Sequence, residues 1–476
     1  MTSEDVIVIG AGPTGLMVAA ELCAAGVRPV VLERHPGLRD VAKAGGLGGQ
    51  ILELLRCRGL LERVRAVADN PHPAPRFPFG GVHVDLTQLA DPPMHAIGVP
   101  QQRLERVLDE RARELGADIR RGHRVTSVTQ DSESVTVEVD GRQPMVARYV
   151  VGCDGPRSLV RDLAGIEFPG TTYPEVNRLI RVTVPSLPDG DLDVPGVGRL
   201  GVGFTRTDGG VFGYGGISDG VLFASTVEEE LVEYDDDKPM TLTEFQDSVR
   251  RVLGVDLPLG EPLRLSRWQF QARQASRYRE GRVLLAGDAA HLLPATGAAL
   301  NLGMLDAVNL AWKLAAEVRG WAPGGLLDTY ETERRYAADR ALRQTQAQVA
   351  LRRGLDPAAD ALRSVVEELL VDEEAARRLA AMIGGAELRY AGVGSHPLTG
   401  RFAPDLPTGG LGARPVLLAG RDDLRNAAER WKDRVDVRRA ATTDALLIRP
   451  DAHIAWAGTD PSELTEALTT WFGAPR

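Results

Sequence analysis

Six residues near the N-terminus, Gly10-Ala11-Gly12-Pro13-Thr14-Gly15, have the types and spacing to cradle a pyrophosphate. The apolar run Asp5-Val6-Ile7-Val8-Ile9 before them reads as a strand buried on both faces, and Leu16 to Ala25 after them reads as a helix. In that context Gly10 permits the tight turn, Gly12 lets the backbone approach the anion, and Gly15 lets the helix pack close to the strand. Pro13 and Thr14 belong to the same cofactor-binding turn, and the helix N-terminus beyond it offers free N–H groups and the positive end of its dipole. A second strand, Arg28-Pro29-Val30-Val31-Leu32, runs into Glu33 and Arg34, about 20 residues beyond the glycines, where a carboxylate holds a ribose hydroxyl. A Gly-rich turn with a surface glutamate is the plainer alternative, but it gives no reason for strand, turn and helix to stand in this order. The pattern predicts a dinucleotide site.

Two further apolar strands end in Gly and Asp. Tyr149-Val150-Val151-Gly152 continues as Cys153-Asp154-Gly155-Pro156-Arg157-Ser158-Leu159-Val160-Arg161, and Arg282-Val283-Leu284-Leu285-Ala286 continues as Gly287-Asp288-Ala289-Ala290-His291. The set GxGxxG, CDGxxSxVR and GDAAH, with DAxNLAWKLA from Asp306 to Ala315, resembles the flavoprotein aromatic hydroxylases of the p-hydroxybenzoate hydroxylase fold. Within that group the chain is similar to the aromatic polyketide hydroxylases of angucyclinone- and anthracycline-type ring systems. Family segments are also matched by Gln50 to Leu55 with Arg58-Gly59-Leu60-Leu61, and by Val99-Pro100-Gln101 with Leu104-Glu105. At the C-terminus, Leu447-Ile448-Arg449-Pro450-Asp451 with His453-Ile454-Ala455-Trp456 is similar to a family hairpin. The resemblance spans almost the whole chain.

What the resemblance implies is an FAD-dependent monooxygenase with NADPH or NADH as transient reductant and O2 as co-substrate. It implies oxygen transfer through a C4a-hydroperoxyflavin to a polycyclic aromatic polyketide, as a tailoring step in antibiotic biosynthesis. Chemistry carried by the flavin requires no catalytic triad, and none is assigned. Family positions carried over are Glu33 on the adenosine ribose, Lys43 near the phosphates where an arginine is usual, Gln101 along the ribityl chain, and Asp154, Gly287 and Asp288 at the motif ends. Pro294, Gly297, Ala298, Ala299, Leu300 and Asn301 fall on the loop and helix start that pass the flavin ring, where free N–H groups reach the edge that gathers negative charge on reduction. The family has Gly-Gln-Gly where this chain has Gly297-Ala298-Ala299, in a shorter loop. Alanine takes positive φ less readily than glycine, so a different path past the ring is expected. Other readings stay open: rifamycin-type oxygenation of a finished antibiotic, Baeyer–Villiger insertion or epoxidation, or a flavin-poor homologue acting as a non-redox catalyst or ligand-binding protein.

The elements that must position these residues make an α/β chain with an interrupted Rossmann-type FAD domain. By resemblance, residues 1–170 and 275–388 form that domain and 171–274 an inserted, mainly antiparallel substrate sheet. Residues 389–476 form a thioredoxin-like C-terminal domain, which lacks CxxC. Leu179 to Val184, Gly201 to Thr205 and Val211 to Gly215 read as strands, with a hairpin at Asp208-Gly209-Gly210. On this sheet Phe212, Tyr214, Trp268 and Phe270 are candidate aromatic walls for a flat substrate, and Arg273 a candidate partner for a phenolate; all five have plain structural alternatives, as core residues or ion pairs. The Pro-rich stretch Pro71 to Phe79 has the composition of a stiff lid loop, with His83 and His95 beside it. A long helical pattern from Leu326 to Met382 breaks at Gly354-Leu355-Asp356-Pro357, and the tail carries helices at Asn426 to Asp433 and Ser462 to Phe472.

Composition narrows the function from outside. An apolar fraction of 43% with 26% charged residues is that of a soluble globular protein, and a formal charge of −10 without a basic stripe argues against a nucleic-acid partner. Asp235-Asp236-Asp237 reads as a solvated loop. No run approaches the ~18 apolar residues of a membrane span, and the acidic start leading straight into a strand leaves no room for a signal peptide, so no membrane partner and a cytoplasmic location are expected. Cys23, Cys57 and Cys153 lack metal-site spacing, so neither a disulfide framework nor a metal site is expected. A monomer or homodimer is the expected state.

Overall fold

The computed structural model describes residues 3–475 except 39–44, 75, 88, 90, 184–190, 219, 231–237, 295–296, 355, 405–410 and 442–443. Its first block contributes β1 (Ser3–Ile9), α1 (Pro13–Ala24), β2 (Val30–Glu33), β3 (Gly46–Gly48), α2 (Gln101–Glu114), β4 (Asp118–Arg121) and β5 (Met145–Gly152). The middle block contributes β6 (Gly170–Thr183), β7 (Gly203–Thr207), β8 (Gly210–Ser218), β9 (Val221–Glu229), α3 (Leu242–Leu253) and β10 (Pro262–Gln274). The chain then returns through β11 (Val283–Leu285), β12 (His291–Leu292), α4 (Ala298–Val318), α5 (Asp328–Arg352), α6 (Pro357–Leu370) and α7 (Glu373–Gly384). The last block contains β13 (Val416–Ala419), α8 (Asp422–Ala428), β14 (Asp436–Arg439), β15 (Ala445–Ile448), β16 (Ile454–Gly458) and α9 (Pro461–Phe472).

Strands β11-β5-β1-β2-β4 form a parallel sheet in that order, with Ile7 beside both Val150 and Val30. Val6, Ile7, Val8, Val150 and Val151 are fully buried, as expected of β-branched strands covered on both faces. Helix α4 crosses α1 at very short range because it presents Gly303 there: a Cβ at Gly303 would stand 2.6 Å from Thr14 Oγ1. A Cβ at Gly287, which sits at φ +64°, would stand at the same distance from the same oxygen.

The middle sheet runs β7-β8-β9-β6-β10-β12 and is antiparallel throughout. The two-residue connection Asp208-Gly209 closes the hairpin expected there. One face packs on α3, through Ile180, Val182, Phe212, Tyr214 and Ala224 against Phe245, Val249 and Val252. Its edge strand β12 pairs Leu292 with Arg273 and His291 with Gln274. Thus the sheet is hydrogen-bonded to the segment that follows the Gly287-Asp288 turn.

Two local expectations are corrected. The Pro-rich stretch is not an open lid loop: its backbone forms short strands at Asn70–Ala74 and Arg76–Phe79, the second paired with Val82–Asp85. In the tail, the helix starts at Asp422 rather than Asn426, with Asp422 and Asp423 in its first turn where they complement the dipole. The helical break at 353–356 is as expected, with Asp356 capping α6 and Pro357 at its first position.

The C-terminal sheet runs β14-β13-β15-β16, with only β13 and β14 parallel. It is held to the rest by a buried ionic cluster. Glu333 of α5 accepts from Lys313 Nζ at 2.7 Å and from Arg449 at 2.6 and 2.7 Å, and Arg449 also meets Asp451 at 2.5 Å. Asn309 donates to both carboxylates at 2.7 Å. Burial opposes the charge on Glu333, but Arg449 and Lys313 outweigh it and bring its carboxyl down to about 2. Burial also lowers the Lys313 ammonium to about 8 in spite of Glu333. Arg58 adds a second tie, paired with Glu21 of α1 at 2.7 Å while donating to the carbonyls of Leu411 and Pro450.

Two outcomes follow from these contacts. Gly303→Ala overpacks the helix crossing and costs about 1–3 kcal/mol in thermal denaturation, a loss that Thr14→Ala partly restores in the double variant because it removes the clashing oxygen. Glu333→Gln strands two buried cations and costs about 3 kcal/mol or more at neutral pH. Because the Glu333 carboxyl is depressed on folding, its contribution is complete above about pH 4.5 and is lost as pH falls toward 2, so melting temperature against pH is flatter for the variant across that window.

Candidate functional site

The turn after β1 is shaped by contacts that only glycine permits. Gly10 sits at φ +104°, and a Cβ there would lie 2.3 Å from Cys153 O; a Cβ at Gly15 would lie 2.0 Å from Gly10 O. At Gly12 a Cβ would meet nothing within 4 Å, so open space lies above the start of α1. No side chain caps this helix, and its first turn has no acidic residue. Uncapped amides, an open approach and Pro13 at the first position fit a pyrophosphate. Glu33, 6% exposed at the end of β2, accepts from Ala11 N at 2.8 Å and His35 N at 2.9 Å. Its carboxylate is thereby held at the edge of the glycine turn, the position from which it would reach an adenosine ribose. Arg34 beside it is exposed. Lys43 lies outside the described residues.

Asp154 stands next to this turn, but its carboxylate is used locally. It accepts from Ser158 Oγ at 2.5 Å and Val160 N at 3.1 Å at the start of a short helix, and burial raises its pKa. Gln101, in the first turn of α2, donates to Glu105 at 2.8 Å. Asp288 lies in a single 3-10 turn, Gly287–Ala289, which is fixed from below by Asp306. That fully buried carboxylate accepts from Gly287 N at 3.0 Å and Arg334 Nε at 2.7 Å, and pairs with His291 Nε2 at 2.6 Å. Burial disfavours its charge, yet the His291 and Arg334 contacts keep its carboxyl below the ordinary range. Asp306 and Arg334 were not legible as site residues in the sequence, beyond the presence of Asp306 in the DAxNLAWKLA motif.

The altered loop finds a simple solution. Among the described residues of the loop, Gly297 takes the left-handed conformation, at φ +88°, and Ala298 and Ala299 are already helical. Pro294 is buried, Leu300 is half-buried, and Asn301 joins the loop to β3 by accepting from Gly48 N at 3.1 Å while donating to Gly297 O at 3.0 Å. A Cβ at Gly297 or Gly45 would meet nothing within 4 Å. Among the described residues, nothing therefore crowds the helix start or the approach to the strand beside it. Ala295 and Thr296 lie outside the described residues.

Of the proposed substrate contacts, Phe212 and Tyr214 are on the wrong face. Both are 1% exposed in the core against α3, and the Tyr214 hydroxyl is taken up by Leu192 N and Leu200 O. Strand alternation puts Trp268 and Phe270 on the other face, the one toward α5, together with Phe204 and Phe223. The side chains of Phe204 and Phe223 lie over Gly213 and Gly215, whose Cβ atoms would stand 2.7 and 2.9 Å from those rings. Parity counted from the Asp208-Gly209 hairpin would have selected Phe204 in place of Phe212. Arg273 donates to Phe168 O and Thr172 Oγ1 and lines a cavity of about 280 Å³ with Arg335 and Gln346. His95 is exposed, and the His83 side chain lies outside the described residues. Among the described residues no cluster of His, Cys, Asp and Glu could hold a metal, and no helix is long and apolar enough to cross a membrane.

Comparison with known proteins agrees with this geometry. Residues 3–345 match the FAD binding domain family and residues 396–475 match the aromatic-ring hydroxylase C-terminal family. The chain is 42% identical to the 12-dehydrotetracycline 5-monooxygenase/anhydrotetracycline 6-monooxygenase of Streptomyces rimosus, over 99% of each chain. It is 40% identical to a rifampicin monooxygenase of Streptomyces venezuelae, again over 99% of each. The solved structure of an aromatic hydroxylase from angucycline biosynthesis superposes with a TM-score of 0.88 at 36% identity, covering 100% of both chains. The chain belongs to the FAD-dependent monooxygenases that carry an aromatic-ring hydroxylase C-terminal domain.

Proposed function

We propose that this monooxygenase transfers one oxygen atom from O2 to a planar polycyclic aromatic polyketide, with NAD(P)H as electron donor, in the making of an antibiotic. The observation that carries the substrate class is the face of the middle sheet toward α5, where Phe204, Phe223, Trp268 and Phe270 supply ring surface beside the flavin loop's own strand pair. Bound FAD would supply the redox chemistry. The chain's part is to bind the dinucleotide at Gly10–Gly15 and Glu33, to present the helix start at Gly297–Asn301 to the ring, and to keep Gly287 and Asp288 fixed through Asp306. The rifampicin monooxygenase relative supports a second reading, oxygenation of a finished antibiotic. Both readings share the cofactor and differ only in when the substrate is met.

Purified protein is expected to absorb near ~450 nm, to bleach on anaerobic addition of NADPH and to recover in air. A colourless protein that takes up no FAD would overturn the redox reading and favour the non-redox catalyst. Glu33→Ala, which removes the acceptor for Ala11 N and for the ribose, lowers flavin occupancy after gel filtration about tenfold or more, consistent with loss of charge-assisted hydrogen bonds.

A further inference from the structure

Charge is distributed very unequally over the two faces of the middle sheet. Toward α3 every arginine is matched: Arg178 pairs with Glu228, Glu230 and Glu244, Arg251 with Glu228, and Arg267 with Glu244. Toward α5, strand pairing puts Arg206, Val211, Val227, Asn177 and Trp268 in one row across five strands, and Arg181 beside Arg264 two rows further on. Arg352, at the end of α5, projects over this face, its guanidinium 5.6 Å from the Phe204 ring centre and 5.1 Å from that of Phe270. Glu175, the acid near Phe270, is taken by Arg353.

Among the described residues, Arg181, Arg206, Arg264 and Arg352 make no salt bridge, in a chain whose formal charge is −10; Asp360 and Glu367 act on Arg206 from a distance, less than burial and the neighbouring Arg363 do. Four buried donors of this face also have no acceptor: Asn177 Nδ2, Trp268 Nε1, Arg181 Nε and Arg206 Nε. Asn177 is only 2% exposed, so water does not readily serve it. Burial, and then the neighbouring Arg206, weakens the hold of Arg352 on its proton; burial, and then Arg181, does the same at Arg264. Like charges and unpaired donors collected on one apolar surface are costly unless an anion completes them. Phe204, 52% exposed, marks the side open to solvent.

We propose that this face binds the anionic oxygen edge of a planar aromatic substrate, a carboxylate or an ionised 1,3-dicarbonyl enol, with Arg352 and Arg206 as counter-charges and Trp268 and Asn177 as neutral donors. The inference rests on the aromatic-substrate reading above and narrows it to acidic substrates. Arg352 is a specificity-determining residue: it recognises charge at the periphery of the ring system and takes no part in oxygen transfer.

The test is calorimetric titration of the FAD-loaded protein, without NADPH, using anthraquinone-2-carboxylate against its neutral carboxamide. A second arm uses 2-acetylindane-1,3-dione, an enolate at neutral pH, against its enol methyl ether, and so separates the two sources of the anionic edge. At least one anion is expected to bind about tenfold or more tightly than its neutral partner, as a charge-assisted contact requires. Arg352→Met should abolish that preference while leaving the neutral ligand's Kd within about twofold, and Arg352→Lys should retain most of it. Equal binding of anion and neutral partner in both arms, failure of all four probes to bind, or a parallel loss of both members of a pair in Arg352→Met would overturn the proposal. Melting temperature of each variant distinguishes lost recognition from lost fold. Because no turnover is read, the outcome is independent of whether the loaded protein oxidises NADPH.

Discussion

One buried carboxylate sets the geometry on which the flavin side of the molecule depends. Asp306 has no contact with solvent and takes donors from a backbone turn, a β-strand and a second helix at once: Gly287, His291 and Arg334. A charge buried so deeply is tolerated only when its oxygens are fully served, and each donor is therefore fixed in turn. Gly287 is pinned at positive φ beneath Thr14, β12 is held as the last strand of the middle sheet, and α5 is clamped to α4. Substrate sheet, cofactor turn and long helix thus share one reference point.

Arg334 extends that point outward. Its second nitrogen donates to the Tyr390 hydroxyl at 2.7 Å, and the Tyr390 ring stacks on His453 at 4.2 Å between ring centres. His453 follows Arg449 and Asp451, which close on Glu333, the residue before Arg334. The C-terminal domain is therefore wired into the same helix turn that steadies the Gly287–His291 segment. Asn309 and Lys313 of the DAxNLAWKLA motif and Arg449 and Asp451 of the C-terminal hairpin meet around Glu333 in one ionic cluster.

What the sequence revealed and what it hid follow a physical division. The glycine turn, Glu33 and the hairpin at Asp208-Gly209 were legible because a required backbone conformation or a fixed spacing leaves a local trace. The doubly wound sheet with an inserted antiparallel sheet was legible through resemblance, and the family match supports it. Phe212 and Tyr214 were misplaced because strand aromatics were taken without their parity, which only the hairpin register supplies. Arg206 and Arg352 left no trace, since they are brought to one face only by the fold, 146 positions apart in the chain (352 − 206). The Ala298-Ala299 substitution suggested a different loop path; the described part of the loop shows Gly297 at positive φ and the helix starting at Ala298, with Ala295 and Thr296 outside it.

The Glu333 cluster also bears on how such chains diversify. Lys313 and Glu333 stand on one side of the domain boundary and Arg449 and Asp451 on the other, so each side is neutral by itself, and the tie between them is the Arg449–Glu333 pair that crosses it. A terminal domain grafted from another protein would bring its own arginine and aspartate into a socket that tolerates no mismatch of charge. A graft that lacked the arginine would leave Glu333 with Lys313 alone in a buried site, so the exchange is costly unless Arg449 is kept.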